Sequence, residues 1–217
     1  MNGELTQEEL KQVRKQCKEQ GIVPVINLSK EDLRLTEVKR LNMLERDLEQ
    51  DKRYSSLTEL AAYLTECPYS AINVLGSTVQ RCKIIFGLSK EEEEDFDRDE
   101  PRDLSICQFS LTKPHQPLVI ENLLEDQRTK SKYSRQEASN IRFYAGAPLI
   151  SSRGFSLGTL CVVDDNPKSL KHNQIEGLRL LADQIVSLIE SEHDAKKPKD
   201  AETKNDKEPA ETSGRYY

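Results

Sequence analysis

The stretch that decides the fold is Ile141–Ile150 (IRFYAGAPLI) followed by Leu157–Asp164 (LGTLCVVD). Both segments are largely apolar, and the second is rich in β-branched residues, as is typical of buried strands. The residues between them, SSRG at 151–154, are polar and include a glycine. This pattern predicts a β-hairpin, so the two strands are expected to pair antiparallel.

Side chains alternate between the two faces of a strand, so each segment presents two sets of residues. The first segment has Phe143, Ala145, Ala147 and Leu149 on one face and Arg142, Tyr144, Gly146 and Pro148 on the other. In the second segment, Cys161 is expected to share a face with Leu157, Thr159 and Val163. The small residues 145–147 leave room above the sheet for a helix or for a ligand.

Length and charge limit the class of protein. A chain of 217 residues fits one domain with extensions, and its 35% hydrophobic and 32% charged residues predict sizeable unpacked segments. The net charge is −6, and residues 91–100 alone hold eight acidic residues and one arginine. No broad basic surface is expected, so neither nucleic acid nor an anionic membrane is a predicted partner.

The sequence also predicts a cytoplasmic protein. The N-terminal residues MNGELTQEELKQ are too charged for a signal peptide. The longest uncharged stretches, Phe143–Ser152 and Gly154–Val163, are too short for a membrane helix. Five cysteines occur without a CxxC pair, which favours reduced thiols over a zinc site or a disulfide framework.

Apolar periodicity and breaker residues predict the remaining elements. Helices are expected over 5–20, 31–51, from Ser56 to Pro68, and over 171–191, with helical turns at 105–111 and within 125–140. Strands are expected at 69–75, 81–86 and 118–120, and an acidic loop at 91–100. We therefore divide the chain into a flexible N-terminal arm (1–30), one domain (31–191) and a disordered charged tail (192–217).

Several separated segments resemble the GAF domain family. They are Leu57–Ala61 before Pro68, Lys83 with Gly87-Leu88, Ser105-Ile106-Cys107, Asp126-Gln127-Arg128, Asn173-Gln174 and the hairpin. The resemblance implies an α+β fold (an α/β sandwich) with a central antiparallel sheet of five or six strands and helices on both faces. It also implies a regulatory sensor module in signal transduction.

The sequence departs from the branches of this family that have a known ligand or activity. It has no NKFDE-type motif for cyclic nucleotides, no Cys-His pair for a bilin, and no cysteine set like that of the sulfoxide reductases. Walker, GxGxxG and GxSxG motifs are also missing. We therefore expect a non-enzymatic protein without a metal site. The sequence does not identify a cofactor.

By resemblance, the candidate ligand-binding residues lie on the hairpin and on the segments expected to cover it. They are Cys107, Phe109, Asp126, Arg128, Arg142, Tyr144, Ala145 and Cys161. Structural roles compete with ligand contact for some of them: Cys161 fits a small core residue, and Asp126 with Arg128 fits an ion-pair clamp. Asp95, Asp97 and Asp99 have calcium-loop spacing, but Glu100 stands where that loop needs glycine, which favours a solvated loop.

The leading functional hypothesis is a sensor that binds a small molecule or a protein partner and acts on a separate effector protein. We expect a homodimer formed by the Val38–Leu48 and Ile175–Ile189 helices. Two alternatives stay open: a dimerisation scaffold with a filled pocket, and a thiol-based redox sensor or reductase that uses Cys107.

Overall fold

One antiparallel sheet of six strands organises the protein. The computed structural model describes residues 4–26, 28–135 and 140–196. The strands are β1 (Tyr69–Leu75), β2 (Val79–Phe86), β3 (Asp99–Pro101), β4 (Leu118–Ile120), β5 (Phe143–Ile150) and β6 (Ser156–Asp164). Their order across the sheet is β3-β2-β1-β6-β5-β4, and each neighbouring pair is antiparallel. The fold is α+β, as the sequence predicts.

The helices differ greatly in length. They are α1 (Gln7–Gln20), α2 (Glu31–Arg40), α3 (Lys52–Thr65), α4 (Lys90–Asp95), α5 (Lys130–Tyr133) and α6 (His172–Ala195). Two 3-10 segments, Arg102–Leu104 and Cys107–Thr112, precede β4. We call Cys107–Thr112 the cover segment, because it packs across β1, β5 and β6.

The predicted hairpin is confirmed, and its two faces bury different cores. Ala145 and Ala147 face the main core beneath α3 and α6, where Leu160 and Val162 also lie. The opposite face holds Tyr144 and Cys161 under the cover segment and α5. Leu157 departs from the predicted alternation and packs in the main core, next to a register shift at Leu149/Ile150.

Helix α6 lies close to α3 because Gly177 stands at their contact. A Cβ atom at Gly177 would come within 2.4 Å of Leu64 Cδ2, so a larger residue would require the Leu64 side chain to move. The remaining apolar stripe of α6 packs on the sheet through Leu178, Ala182, Ile185 and Ile189. The long helix predicted at the end of the domain therefore covers one side of the main core.

The predicted helix over 31–51 is too long. Helix α2 ends at Arg40, and Asn42 adopts a left-handed conformation with φ 53°. Residues 41–51 continue as turns that bury Leu41, Met43 and Leu48 in the main core. Leu41 and Leu48 therefore cannot form the predicted dimer interface, because they already lie inside one subunit.

Two other boundaries differ from the prediction. Helix α3 begins at Lys52, where the Asp51 side chain accepts a hydrogen bond from the Arg53 amide, and not at Ser56. The acidic stretch is not only a loop: it forms α4, capped by Ser89, and then β3. Arg81 on β2 donates from Nε and Nη2 to the two carboxylate oxygens of Asp99, each at 2.7 Å. This ion pair fixes β3 at the edge of the sheet.

The predicted arm folds as α1, which ends at Gly21 as expected. Its Val13 and Cys17 pack with Ile22 and Leu104 in a small separate core. Flexibility of residues 1–30 stays a prediction, but the predicted disordered tail begins too early, because residues 192–195 are helical. Helix α6 continues to Ala195, and the rest of the predicted tail, from residue 197, lies outside the described residues. None of the described helices has the length and apolarity needed to span a membrane.

Candidate functional site

The face of the sheet under the cover segment carries a buried polar cluster. Asn73 on β1 and Thr159 and Cys161 on β6 lie on neighbouring strands, and Cys107 approaches them from the cover segment. Tyr144 on β5 completes the group. We call these five residues the thiol cluster. All five are buried, so burial favours bonds within the cluster over contact with water.

Hydrogen bonds join four of the five residues, whereas the buried Thr159 hydroxyl has no hydrogen-bond partner among the described residues. The Tyr144 hydroxyl donates to Cys107 Sγ at 3.2 Å, and Asn73 Nδ2 donates to Cys161 Sγ at 3.2 Å. The same amide nitrogen is 3.8 Å from Cys107 Sγ, so it contacts both thiols. The sequence prediction that Cys107 and Cys161 approach the same face is consistent with this geometry.

The two thiols differ electrostatically. The hydrogen bond from the Cys161 thiol, supported by that from Tyr144, lowers the pKa of Cys107 against the opposing effect of burial. The pKa of Cys161 is raised well above its ordinary value, because its proton is held by Cys107 and because it is buried. On the adjacent strand, burial raises the pKa of Cys82 to about 12. Cys107 is therefore the best placed of the three to become a thiolate.

The structure pairs Asp126 with Arg128 as an ion-pair clamp. Arg128 Nε and Nη2 lie 2.9 and 2.6 Å from the two carboxylate oxygens of Asp126, and the Arg128 amide donates to the same carboxylate. This bond, aided by the neighbouring charge, lowers the pKa of Asp126. The Arg128 guanidinium also lies 5.8 Å from the centroid of the Phe109 ring. These contacts fix the loop above the cover segment.

Two other predicted site residues lie elsewhere. Ala145 is on the opposite face of β5 and packs in the main core beneath α6, so it does not contact the thiol cluster. Arg142 precedes β5, where its amide bonds the Asp164 carbonyl and its Nη1 donates to the Ile141 carbonyl. Side-chain alternation along the strand already places Ala145 and Tyr144 on opposite faces. This signal in the sequence indicates that the two residues cannot line the same site.

The space predicted beside the small residues is occupied. A Cβ atom on Gly146 would come within 2.4 Å of the Tyr144 hydroxyl and 2.9 Å of its Cζ. Tyr144 therefore folds over its neighbour on the same face, while α6 covers the Ala145 side. On this point the structure agrees with the filled-pocket alternative.

Asn73 and Thr159 were missed by the sequence analysis. Asn73 stands between Ile72 and Val74 in a largely apolar strand. A polar side chain in such a position needs a buried partner, which is a usable signal. For Thr159 the sequence offers no such signal, because threonine is ordinary in a strand.

Within the described ranges, no three His, Cys, Asp or Glu residues are placed to hold a metal ion. Asp99, part of the calcium-like spacing, is instead paired with Arg81. One of the described cavities, of about 200 Å³, opens between the residues before α2, the loop after the cover segment and the β5–β6 turn.

No family model matches the sequence. A cyclic di-GMP phosphodiesterase of Pseudomonas aeruginosa is 29% identical over 131 residues, which are 60% of this chain and 21% of the relative. This chain therefore matches about a fifth of that protein's length.

Solved structures resemble the whole domain at low sequence identity. The GAF domain of the Acinetobacter phosphoenolpyruvate-protein phosphotransferase has a TM-score of 0.51 at 14% identity, with 75% of this chain and 96% of that chain covered. A far-red cyanobacteriochrome photoreceptor has a TM-score of 0.53 at 15% identity, covering 75% and 98%. A GAF domain/HD domain protein from Geobacter sulfurreducens gives 0.50 at 16% identity, covering 74% and 96%. Together with the sheet order and the helices described above, these matches show that the chain has a GAF-like fold.

Proposed function

We propose that this chain is a regulatory sensor module in signal transduction, in which a change at the β5–β6 turn is transmitted to helix α6. The fold supports a sensory role. The matched segment is a fifth of a cyclic di-GMP phosphodiesterase, which fits a module that regulates an effector located outside it. The proposal assigns no catalysis to the chain itself.

The contact between the β5–β6 turn and α6 carries this proposal. The amide and hydroxyl of Ser152 both donate to Glu190 Oε1 at 2.9 Å. Next to it, Arg153 Nη1 lies 3.5 Å from Glu37, whose carboxylate is also held by Arg40 at 2.7 and 2.8 Å. Arg40 in turn lies 3.9 Å from Glu190. Two sets of contacts therefore connect the turn to α6. One is the direct pair of hydrogen bonds from Ser152 to Glu190, and the other is the series of ion pairs from Arg153 through Glu37 and Arg40 to Glu190.

Helix α6 is suited to transmit a displacement. Its 24 residues span about 36 Å at 1.5 Å per residue. Its apolar stripe is held by the main core, whereas Glu190 lies in its last two turns. A shift of the turn would therefore act on the C-terminal end of α6.

Replacing Glu190 with alanine should uncouple the turn from the helix. We expect amide hydrogen exchange to accelerate about tenfold in both 151–155 and 188–195, because hydrogen bonds to a charged acceptor contribute about 1.5–3 kcal/mol. Hydrogen-exchange mass spectrometry measures both segments in one experiment.

The matched control is Glu176→Ala on the same helix, which removes an exposed pair with Arg179 at 3.2 Å. It should leave both segments unchanged. Faster exchange at 188–195 without any change at 151–155 would contradict the proposed link.

The sensor is proposed to respond to a small molecule or a protein partner and to act as a homodimer. Because Leu41 and Leu48 are buried, any interface must use other residues. Exposed apolar side chains occur on the two packed helices of the main core: Leu60 and Tyr63 on α3 and Leu180 on α6. The dimer itself stays a prediction.

The thiol cluster favours a second candidate function, a redox sensor. A peroxide would oxidise the Cys107 thiolate to a sulfenic acid with release of water. The Cys161 thiol would then displace a second water to form a disulfide. The supporting observation is that one amide, that of Asn73, contacts both thiols.

Cysteine labelling tests this candidate. All five cysteines are free and buried, so iodoacetamide should react slowly with the native protein at pH 7.5. Local opening of the cover segment should let Cys107 react before Cys82, because Cys82 lies on β2 outside that segment and burial raises its pKa, which disfavours the thiolate. Mass spectrometry after partial labelling gives the order. Equal rates at Cys107 and Cys82, or no reaction before global unfolding, would exclude the redox role.

A further inference from the structure

The cavity beside the β5–β6 turn has the charge and the donors of an anion site. Its lining includes Lys30, Arg34, His115, Arg153 and Ser156, together with one carboxylate, that of Glu31. We call this cavity the basic cleft. A cluster of basic side chains is unexpected on a protein with a net charge of −6.

The carboxylate in the cleft is already neutralised. Glu31 accepts two hydrogen bonds from Arg34 at 2.8 Å and one from Arg102 at 2.7 Å. Although burial opposes ionisation, these bonds hold its pKa below the ordinary value. Glu31 therefore stays charged, but its single negative charge offsets only one of these two arginines. With Lys30 and Arg153 added, the cleft keeps an excess of positive charge.

Lys30 and Arg153 can turn toward a ligand. Lys30 is exposed, and the described part of the chain gives its ammonium no ion-pair partner. The Arg153 side chain is 60% exposed, and its contact with Glu37 is long at 3.5 Å. Glu37 keeps its bidentate pair with Arg40 if Arg153 leaves. Moving Arg153 to an anion therefore costs little.

A buried hydroxyl in the lining also lacks a partner. Ser156 is 2% exposed, and its Oγ forms no hydrogen bond with the described residues. Its carbonyl oxygen, by contrast, accepts from Arg34 Nη1 at 3.2 Å. An unsatisfied buried hydroxyl is costly, and rotation of the Ser156 side chain toward the cleft would let it donate a hydrogen bond to an anionic oxygen there.

The start of α2 adds backbone donors. Lys30 occupies the N-cap position with φ 62°, and no side chain caps this ten-residue helix. The first amides of a helix carry partial positive charge and attract anions, although Glu31 and Asp32 already stand in this first turn. Leu111 and Phe155 supply an apolar wall on the other side of the cleft.

We propose that the basic cleft binds a small multivalent anion, a phosphate ester or a polycarboxylate, through Lys30, Arg153 and Ser156. The cavity of about 200 Å³ limits the ligand to a compact molecule. This site would give the proposed sensor module its ligand, and the effect of the ligand on α6 rests on the function proposed above. An anion that draws Arg153 away from Glu37 weakens one of the two sets of contacts that connect the turn to α6.

Calorimetric titration of the full chain tests this site with pyrophosphate and citrate as separate probes, and with sodium chloride at matched ionic strength. We expect at least one probe to bind and sodium chloride to have no effect. The double variant Lys30→Gln/Arg153→Gln should bind that probe at least about tenfold more weakly, since each lost charge-assisted bond contributes on the order of a tenfold change. Which of the two probes binds identifies the ligand class.

Both substituted residues are exposed, so the double variant should retain the wild-type melting temperature. Arg179→Gln is the control, because it removes an exposed charge on α6 away from the cleft. Ser156→Ala should weaken binding without loss of charge.

Equal affinity in the double variant and the wild type would overturn the proposal, as would no binding of either probe at millimolar concentration. The exchange experiment with Glu190→Ala uses no ligand, so failure of the cleft leaves the proposed link to α6 intact.

Discussion

Replacing Arg34 with methionine should lower the free energy of unfolding by about 3–5 kcal/mol. Arg34 is 6% exposed and joins three parts of the chain. Its Nη1 donates to the carbonyl oxygens of Leu75 at 2.7 Å and Ser156 at 3.2 Å, and Nη2 donates to that of Gly76 at 3.1 Å. Methionine keeps the apolar stem but removes this donor from the Leu75 and Ser156 carbonyls, while Glu31 and the Gly76 carbonyl keep only Arg102.

Urea denaturation followed by circular dichroism measures this loss. Arg179→Met, which removes a side chain from an exposed ion pair on α6, is the matched control and should change stability by less than about 0.5 kcal/mol. A loss below about 1 kcal/mol for Arg34→Met would show that water replaces the guanidinium at the strand ends. Arg34 was not identified from the sequence, because a basic residue in a charged helix gives no sign of burial.

The hairpin was predicted from the sequence because its signal is local. Alternation and the SSRG turn are properties of neighbouring residues, and both strands form within two residues of the predicted bounds. Strand β1 and the short strand β4 were predicted for the same reason: turn residues or prolines bound each of them. The family resemblance then supplied what local patterns lack, the assembly of these strands into one antiparallel sheet, but not their order in it.

The end of α2 could not be predicted in this way. Val38, Leu41, Leu44 and Leu48 have helical spacing, yet the chain leaves the helix at Leu41. The Met43 amide donates to the Val38 carbonyl, and Asn42 takes the left-handed conformation that asparagine tolerates. Burial of Met43, which lies off the predicted stripe, stabilises this turn. Tertiary packing thus overrides the periodicity.

The thiol cluster and the basic cleft also depend on tertiary packing that local sequence patterns do not predict. Cys107 and Cys161 were placed on one face from strand alternation and resemblance. The amide that joins them belongs to Asn73 on β1, 34 residues before Cys107. In the basic cleft, Lys30, His115 and Arg153 come from three distant parts of the chain. No spacing rule links them, since only the sheet brings these segments together.

Replacing Gly146 with leucine should lower the free energy of unfolding by about 1–3 kcal/mol, because the side chain would overlap Tyr144. Even a Cβ atom would lie 2.4 Å from the tyrosine hydroxyl. An empty ligand pocket beside the small residues would instead accept leucine with an unchanged or raised melting temperature. The outcome therefore decides between a filled and an open face.

A double-mutant cycle with Tyr144→Phe locates the clash. Phenylalanine removes the hydroxyl but keeps the ring, whose Cζ would still lie 2.9 Å from the added Cβ. Gly146→Leu should therefore cost less in the Tyr144→Phe background, by about 0.5 kcal/mol or more. Additive effects would mean that leucine finds room away from Tyr144, and the face would then be open to a ligand. Coupled effects would leave the basic cleft at the rim as the better place to bind one.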